Sequence, residues 1–152
     1  MASLIDAIQS KCTANNDKSF GRRRCRPKGI ATRQSVEDAG NAHVYGKTKR
    51  TNTAHRFKKI VRMAKRLNCE LADDNAIPRR LPSFLVECLI FAVENAYFLQ
   101  PDDDRYDRLL RVLYRASALL WDAEWHKTAT EVNEIKYLFH ASQSWTLNEA
   151  RT

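Results

Sequence analysis

The chain has 152 residues and 43% hydrophobic content, which is enough for one modest core and too little for two independent domains. Its formal net charge of +8 favours a polyanionic partner, either nucleic acid or nucleotide phosphates, without choosing between them. No secretory apolar run opens the chain and no uncharged stretch is long enough to span a bilayer, so we expect a cytoplasmic protein with no membrane partner.

The first 52 residues are predicted to form a basic, largely irregular arm. All four glycines lie in this arm, and its few large apolar side chains leave it little to bury. Residues 1–66 hold 17 Lys/Arg against 4 Asp/Glu, whereas residues 67–152 hold 9 against 14. One run concentrates the charge of the arm: Arg22, Arg23, Arg24, Arg26 and Lys28. This run is a possible nucleic-acid contact, with a solvated charge cluster as the alternative of equal weight.

From residue 53 to the end the pattern predicts a helical domain, because glycine disappears and no useful β-alternation remains. The first helix is predicted over Phe57–Leu71, with Thr51, Asn52 or Thr53 as its cap. Its apolar residues recur at helical spacing: Phe57, Ile60, Val61, Ala64, Leu67 and Leu71. Five cations fall on the other side: Lys58, Lys59, Arg62, Lys65 and Arg66. Such a helix docks its stripe on a core and leaves its cations to solvent or a ligand.

The second helix is predicted from Phe84 to about Ala96, after the breakers Pro78 and Pro82, with Ser83 as N-cap. It is apolar all round apart from Glu87 and Glu94, as expected of a central helix. We therefore expect the Glu87 carboxylate to be buried and to need a partner. A salt bridge is favoured over catalysis, because a lone carboxylate lacks a matching second group.

Two further helices and a short terminal one complete the pattern. The third is predicted from after Pro101 to about Trp121, the fourth from about Lys127 to Phe139, and the last follows Trp145. Asp102 and Asp104 spell D-x-D, which in a strand can hold divalent cations, but before a helix this spelling favours capping. The predicted fold is all-α, a compact bundle of about four to five helices.

No complete catalytic or metal site is predicted. The chain has no glycine-rich phosphate cradle, and its four histidines show neither metal spacing nor a nucleophile partner. Its four cysteines lack zinc-finger spacing, and Cys69 and Cys88, in predicted helices, are expected to be buried reduced thiols. We therefore expect no catalytic residue, no metal ligand and no cofactor in this chain alone.

The candidate site is cationic. Lys58, Arg62 and Lys65 recur at i, i+4 and i+7, so they line one ridge of the first helix. Point charges at this spacing can hold successive phosphates of a triphosphate or of a nucleic-acid backbone. The alternative is a merely solvated cationic face. The shortage of acidic residues on this helix argues against that alternative.

Two motifs carry a family resemblance: F-K-x-x-V-R-x-x-K from Phe57 and P-S-F-L-x-E-C from Pro82. With Gly46, Lys47 and Thr53, they resemble the C-terminal helical half of the cGAS/DncV-like nucleotidyltransferases. This family includes bacterial anti-phage synthases of cyclic oligonucleotides and resembles the 2′-5′-oligoadenylate synthases. The resemblance covers about residue 38 to the end of the chain.

The resemblance implies that the basic helix contributes cations to nucleotide phosphates. By residue, the implied contacts are Lys58, Arg62 and Lys65, with Lys47 and Lys59 nearby. In the family, a Gly-Ser motif, a D-x-D pair and a third Asp in the N-terminal half bind metal and activate a hydroxyl. Residues 1–37 match none of these motifs. Mg²⁺ and a nucleoside triphosphate are therefore expected only where a catalytic half completes the chain.

Three hypotheses follow. The leading one is a truncated or split nucleotidyltransferase domain, inactive alone, that serves the synthesis of cyclic or linear oligonucleotide signals in anti-phage defence. The second is a nucleic-acid-binding module that uses the arginine run together with the basic helix. The third is a non-catalytic partner of a separate nucleotidyltransferase core chain.

Overall fold

The computed structural model describes residues 36–101 and 104–151. The regular secondary structure of these residues is helical. The helices in chain order are α1 (Val36–Asn52), α2 (Arg56–Asp73), α3 (Ser83–Ala92), α4 (Ala96–Leu99), α5 (Arg105–Trp121), α6 (Trp125–Thr128) and α7 (Leu147–Arg151). Among the described residues no strand forms, and one antiparallel bridge joins Thr130 to Tyr137. The all-α prediction is confirmed, and α1, α2, α3 and α5 are the long helices.

Helix α2 buries the stripe that its sequence predicts. All six stripe residues are at most 6% exposed: Phe57, Ile60, Val61, Ala64, Leu67 and Leu71. They pack against α3 and α5, and the ring of Phe57 meets Phe91 and Phe98 edge-on at 6.0 and 6.3 Å between centroids. Burial of this stripe fixes the rotation of α2 about its axis, so the opposite face of the helix must point away from the core.

A tight joint connects α1 to α2. The hydroxyl of Thr53 accepts a hydrogen bond from the backbone N–H of Phe57 at 3.1 Å and donates one to the carbonyl oxygen of Lys49 at 2.8 Å. The N-cap residue of α2 is His55, so none of the three predicted caps, Thr51, Asn52 and Thr53, occupies that position, although Thr53 still bonds the first turn of α2. The next two residues, Ala54 and His55, are both left-handed, with φ of 48° and 62°. Such a backbone strains a residue with a side chain, so the joint stores strain.

Helix α1 covers the last 17 residues of the segment that the sequence assigns to the irregular arm. Residues 1–35, the rest of that arm, lie outside the described part of the chain. The helix lacks an apolar stripe, which explains why periodicity did not predict it. Tertiary contacts with α2 and with the turn after α3 hold it instead.

Lys49 attaches α1 to the bundle. Its ammonium donates a hydrogen bond to the carbonyl oxygen of Val93 and lies 5.4 Å from the ring centroids of both Phe91 and Phe98. Burial lowers the pKa of Lys49 to about 8, an effect that the nearby Glu94 carboxylate partly offsets. The side chain is therefore a structural cation, held at a cost in solvation.

The second predicted helix is shorter than expected, and the fourth does not form. Helix α3 begins at Ser83, with Pro82 rather than Ser83 at the N-cap, and it ends at Ala92 because Val93 is extended, with ψ of 135°. The predicted helix over residues 127–139 is wrong. There, α6 spans four residues, and hydrogen bonds from Leu138 N to Ala129 O and from Glu131 N to Lys136 O close a hairpin-like loop. The local spacing of apolar residues fits a helix. However, hydrogen bonds across the loop satisfy backbone N–H and C=O groups that a helix would have paired.

The C-terminal loop and α7 complete a second apolar cluster against α3 and α5. Leu85, Leu138 and Trp145 are each at most 8% exposed in it, and the indole of Trp145 donates to the carbonyl oxygen of Leu138 at 2.9 Å. Arg79 and Glu149 pair at 2.9 Å and tie α7 to the loop before α3. The terminal helix predicted after Trp145 is confirmed.

Ala54→Gly should raise the free energy of unfolding by about 0.5–1 kcal/mol, because glycine adopts a left-handed backbone without the strain of about 1–2 kcal/mol. Urea unfolding followed by circular dichroism measures the change. The matched control is Ala118→Gly, exposed in regular helix α5, which should lower the free energy by about 1 kcal/mol. Equal losses in both variants would contradict a strained joint.

Lys49 should make stability depend on alkaline pH. Its pKa is about 8 in the folded chain and about 10.4 when unfolded, so between these values the unfolded chain binds more protons. The free energy of unfolding should therefore rise with pH across this window, relative to Lys49→Met, by less than about 1 kcal/mol because the side chain is partly exposed. Urea unfolding of both proteins at several pH values measures the difference. A difference that stays constant or falls would contradict the buried cation.

Candidate functional site

The face of α2 opposite its buried stripe carries the basic ridge, defined here as Lys58, Arg62 and Lys65. These residues are four and three positions apart, so the ridge runs about 10 Å along the helix axis. Lys59 lies next to it. Because both ends of α2 are packed into the bundle, the ridge sits on a rigid support rather than on a loop.

Most of these cations remain available to a ligand. The side chains of Lys59 and Arg62 are exposed and that of Lys58 is half-buried. Within the part of the chain that the structure describes, none of the three forms an ion pair or a side-chain hydrogen bond. No described residue neutralises these three charges. They face solvent and salt ions, which favours binding of an anion.

Lys65 differs, because it pairs with α3. Its ammonium lies 2.6 Å from a carboxylate oxygen of Glu87, and the two side chains are 30% and 33% exposed. The prediction of a salt bridge for Glu87 is confirmed. The expectation of a buried Glu87 is wrong, since its position on α3 faces the edge of α2 rather than the core. An incoming phosphate would have to compete with Glu87 for Lys65.

Lys47 and the arginine run are less closely tied to the ridge. Lys47 is exposed on α1, across the strained joint from α2. No hydrogen bond or ion pair joins its side chain to the ridge among the described residues. The candidate nucleic-acid contacts lie outside those residues: Arg22, Arg23, Arg24, Arg26 and Lys28.

Three other cations hold the segment of residues 93–98 that follows α3, and sequence reasoning missed them. Lys49 binds the carbonyl oxygen of Val93, and Arg56 donates to the carbonyl oxygen of Phe98 at 2.8 Å. The guanidinium of Arg115 donates hydrogen bonds to both carboxylate oxygens of Glu94 and lowers the pKa of that carboxyl group. These partners are 21 to 44 residues apart in sequence, so no local signal could have identified them. These contacts distinguish the three structural cations from Lys58 and Arg62 of the basic ridge, which form none among the described residues.

Acidic and thiol groups do not assemble into a reactive cluster in the described residues. No three His, Cys, Asp or Glu side chains there come close enough to hold a metal ion. Asp104 caps α5, its carboxylate accepting from the backbone N–H of Tyr106 at 2.8 Å, as predicted, and Asp102 lies outside the described residues. Burial raises the pKa of the Cys88 thiol to about 12, and Cys69 is likewise buried.

No helix of the described residues combines the length and the apolar character that a bilayer span requires.

Comparison with known proteins places these features in a family. Residues 44–152 match the family model described as the cGAS/DncV-like nucleotidyltransferase C-terminal helical domain. The match begins within α1, so it includes part of the segment that the sequence assigns to the arm. It covers α2 and its basic ridge in full.

Curated relatives agree with this match. A cyclic dipyrimidine nucleotide synthase CdnE of Legionella pneumophila is 31% identical over 157 residues, covering 99% of the chain and 49% of the relative. A second one, of Cecembia lonarensis, is 31% identical over 70% of the chain and 36% of its own length. A cyclic dipurine nucleotide synthase of Elizabethkingia meningoseptica is 30% identical over 81% of the chain and 46% of its own length. The chain thus spans about half, or less, of the length of the curated relatives it matches.

Proposed function

Because the chain belongs to the cGAS/DncV-like nucleotidyltransferases, as their C-terminal helical domain, we propose that its basic ridge binds the phosphates of a nucleoside triphosphate. One observation carries the proposal. Lys58, Lys59 and Arg62 have no ion-pair partner among the described residues, although other cations of the chain are engaged in structural contacts.

The rigidity of α2 strengthens this interpretation. Its apolar stripe is at most 6% exposed, so the ridge is held in place before any ligand arrives. A preformed cationic surface loses less conformational entropy on binding than a flexible arm would. Lysine and arginine side chains on such a surface can contact neighbouring phosphate oxygens at the same time. The ridge therefore suits a short, highly charged anion such as a triphosphate.

The catalytic step belongs to another part of the enzyme in this proposal. The described residues do not fit a Mg²⁺ site, because no three acidic, His or Cys side chains converge in them. A metal that accompanies the triphosphate would be held by a catalytic half, to which this domain contributes one wall of the nucleotide cleft. The chain by itself would bind a nucleotide without transferring it.

The product is suggested by the relatives, whose names describe cyclic dipyrimidine and cyclic dipurine nucleotide synthases. We infer that this domain, together with a catalytic half, serves the synthesis of a cyclic or linear oligonucleotide signal in anti-phage defence. The ridge contacts phosphates and not bases, so it leaves the choice of base to other residues.

Arg62→Gln and Lys58→Gln should each weaken the binding of ATP by about threefold to tenfold, because each removes one solvent-exposed phosphate contact. Isothermal titration calorimetry at low ionic strength measures the affinity. Lys127→Gln is the matched control, because Lys127 is an exposed lysine on α6 whose one ion-pair partner among the described residues is Glu124. Its affinity should equal that of the wild type.

Two results would overturn the proposal. Unchanged ATP affinity in both ridge variants would remove the site. A single-stranded oligonucleotide that binds much more tightly than ATP, with affinity falling steeply as salt rises, would instead support a nucleic-acid-binding module.

Glu87→Gln should strengthen ATP binding by about twofold to fivefold, because it removes the carboxylate that competes with phosphate for Lys65. The same titration measures the change. Glu124→Gln removes an exposed carboxylate at the N-cap of α6 and should leave the affinity unchanged. Weaker binding in Glu87→Gln would mean that the ion pair positions Lys65 for the ligand, contrary to this expectation.

A further inference from the structure

An apolar cavity of about 210 Å³ lies among α2, α3, α5 and α7, on the side of α2 that faces the core. It is bordered by the C-terminal half of the α2 stripe, and so it is separate from the basic ridge on the opposite face. Its walls are mostly aliphatic, with Leu67, Leu71, Val86, Leu89, Leu113 and Leu120 among them. Space of this kind repels water and attracts hydrocarbon.

Small side chains leave this space open. Ala64 of α2 and Ala116 of α5 both line it, where longer apolar residues would fill it. An engineered protein cavity of about 150 Å³ with similar walls stays dry and takes up benzene. Benzene has six carbon atoms, so by the ratio of the two volumes this cavity has room for about eight.

The polar groups of the lining are few and mostly satisfied. The side-chain amide of Asn68 bonds the backbone of Leu81 twice, at 2.9 and 3.0 Å, and Ser117 adds one hydroxyl. A bound water needs two to four polar partners, which these walls do not supply. The occupant must therefore be apolar where it enters the cavity.

A cation lies at one border of the cavity. Arg151 of α7 and Trp121 of α5 both line it, and the guanidinium of Arg151 stacks 4.5 Å from the indole of Trp121, which is 64% exposed. Two nitrogens of this guanidinium donate to the carbonyl oxygen of Leu120, at 3.0 and 2.7 Å. Among the described residues no carboxylate pairs with Arg151, so its charge is available to an anion.

We propose that this cavity binds an aliphatic monocarboxylate of about eight carbons. The alkyl chain fills the aliphatic space between α2 and α5, and the carboxylate meets the guanidinium of Arg151 where the cavity reaches the surface. Charge complementarity selects the head group, and the aliphatic lining selects the tail. Occupancy braces α2 against α5 and α7, so the ligand stabilises the helix that carries the basic ridge.

Sodium octanoate is the probe, titrated into the full chain and followed by calorimetry and by thermal unfolding. Binding should be saturable and should raise the unfolding temperature. Arg151→Gln should weaken octanoate binding about tenfold, the loss expected for one charge-assisted contact. Octanol, which has the same tail without the charge, should bind more weakly and should be insensitive to Arg151→Gln. Lys127→Gln is the matched control for a lost surface cation and should bind octanoate normally.

Filling the cavity tests the tail independently. Ala116→Leu fills it from α5 and Ala64→Leu from α2, and either variant that folds, judged by circular dichroism, should lose octanoate binding while retaining ATP binding. Normal octanoate affinity in a folded filling variant would overturn the proposal. So would absence of octanoate binding to the wild type, including the case in which the chain dimerises and covers the cavity with a second copy. Octanoate and ATP binding are measured separately, so failure of this proposal would leave the triphosphate site, on the other face of α2, unaffected.

Discussion

Burial of the apolar stripe of α2 is the constraint on which the rest of the structure depends. Phe57, at 0% exposure, packs edge-on against Phe91 and Phe98, and Leu71 closes the same stripe four turns later at 1%. This packing fixes how α2 is rotated. A helix whose rotation is fixed presents its remaining face in one way. Lys58 and Arg62 therefore stand outward with no ion pair or side-chain hydrogen bond among the described residues, whereas Lys65 also pairs with Glu87.

Cations of the described residues therefore differ in physical role. Lys49 and Arg56 bind carbonyl oxygens and Arg115 binds Glu94. Together they hold the segment of residues 93–98 that follows α3, and Lys49 also attaches α1. Lys58 and Arg62 have no such partners among the described residues. Lys65 is intermediate, because Glu87 already holds it. This division by partners, rather than the net charge of +8, supports a phosphate site on α2.

Sequence reasoning succeeded where the signal is local. The stripe of α2 and the capping role of Asp104 depend on neighbours within a few residues, and both were predicted correctly. It failed where contacts distant in sequence decide the structure. Helix α1 has no apolar stripe and depends on Lys49, whose partner Val93 is 44 residues away. The helix expected over residues 127–139 has a suitable apolar pattern, but cross-loop hydrogen bonds gave it another fold. A salt bridge for Glu87 was predicted, but its partner Lys65, 22 residues away, could not be identified from the local sequence.

The central claim is that the outward face of α2 binds triphosphate. Its most direct test is a nuclear magnetic resonance titration of the isotopically labelled full chain with ATP, recording the backbone amide shifts of every helix. The account predicts shifts concentrated on α2 around Lys58 and Arg62, and their loss when both residues are changed to Gln. Shifts confined to other surfaces, or shifts on α2 that survive the double substitution, would contradict it.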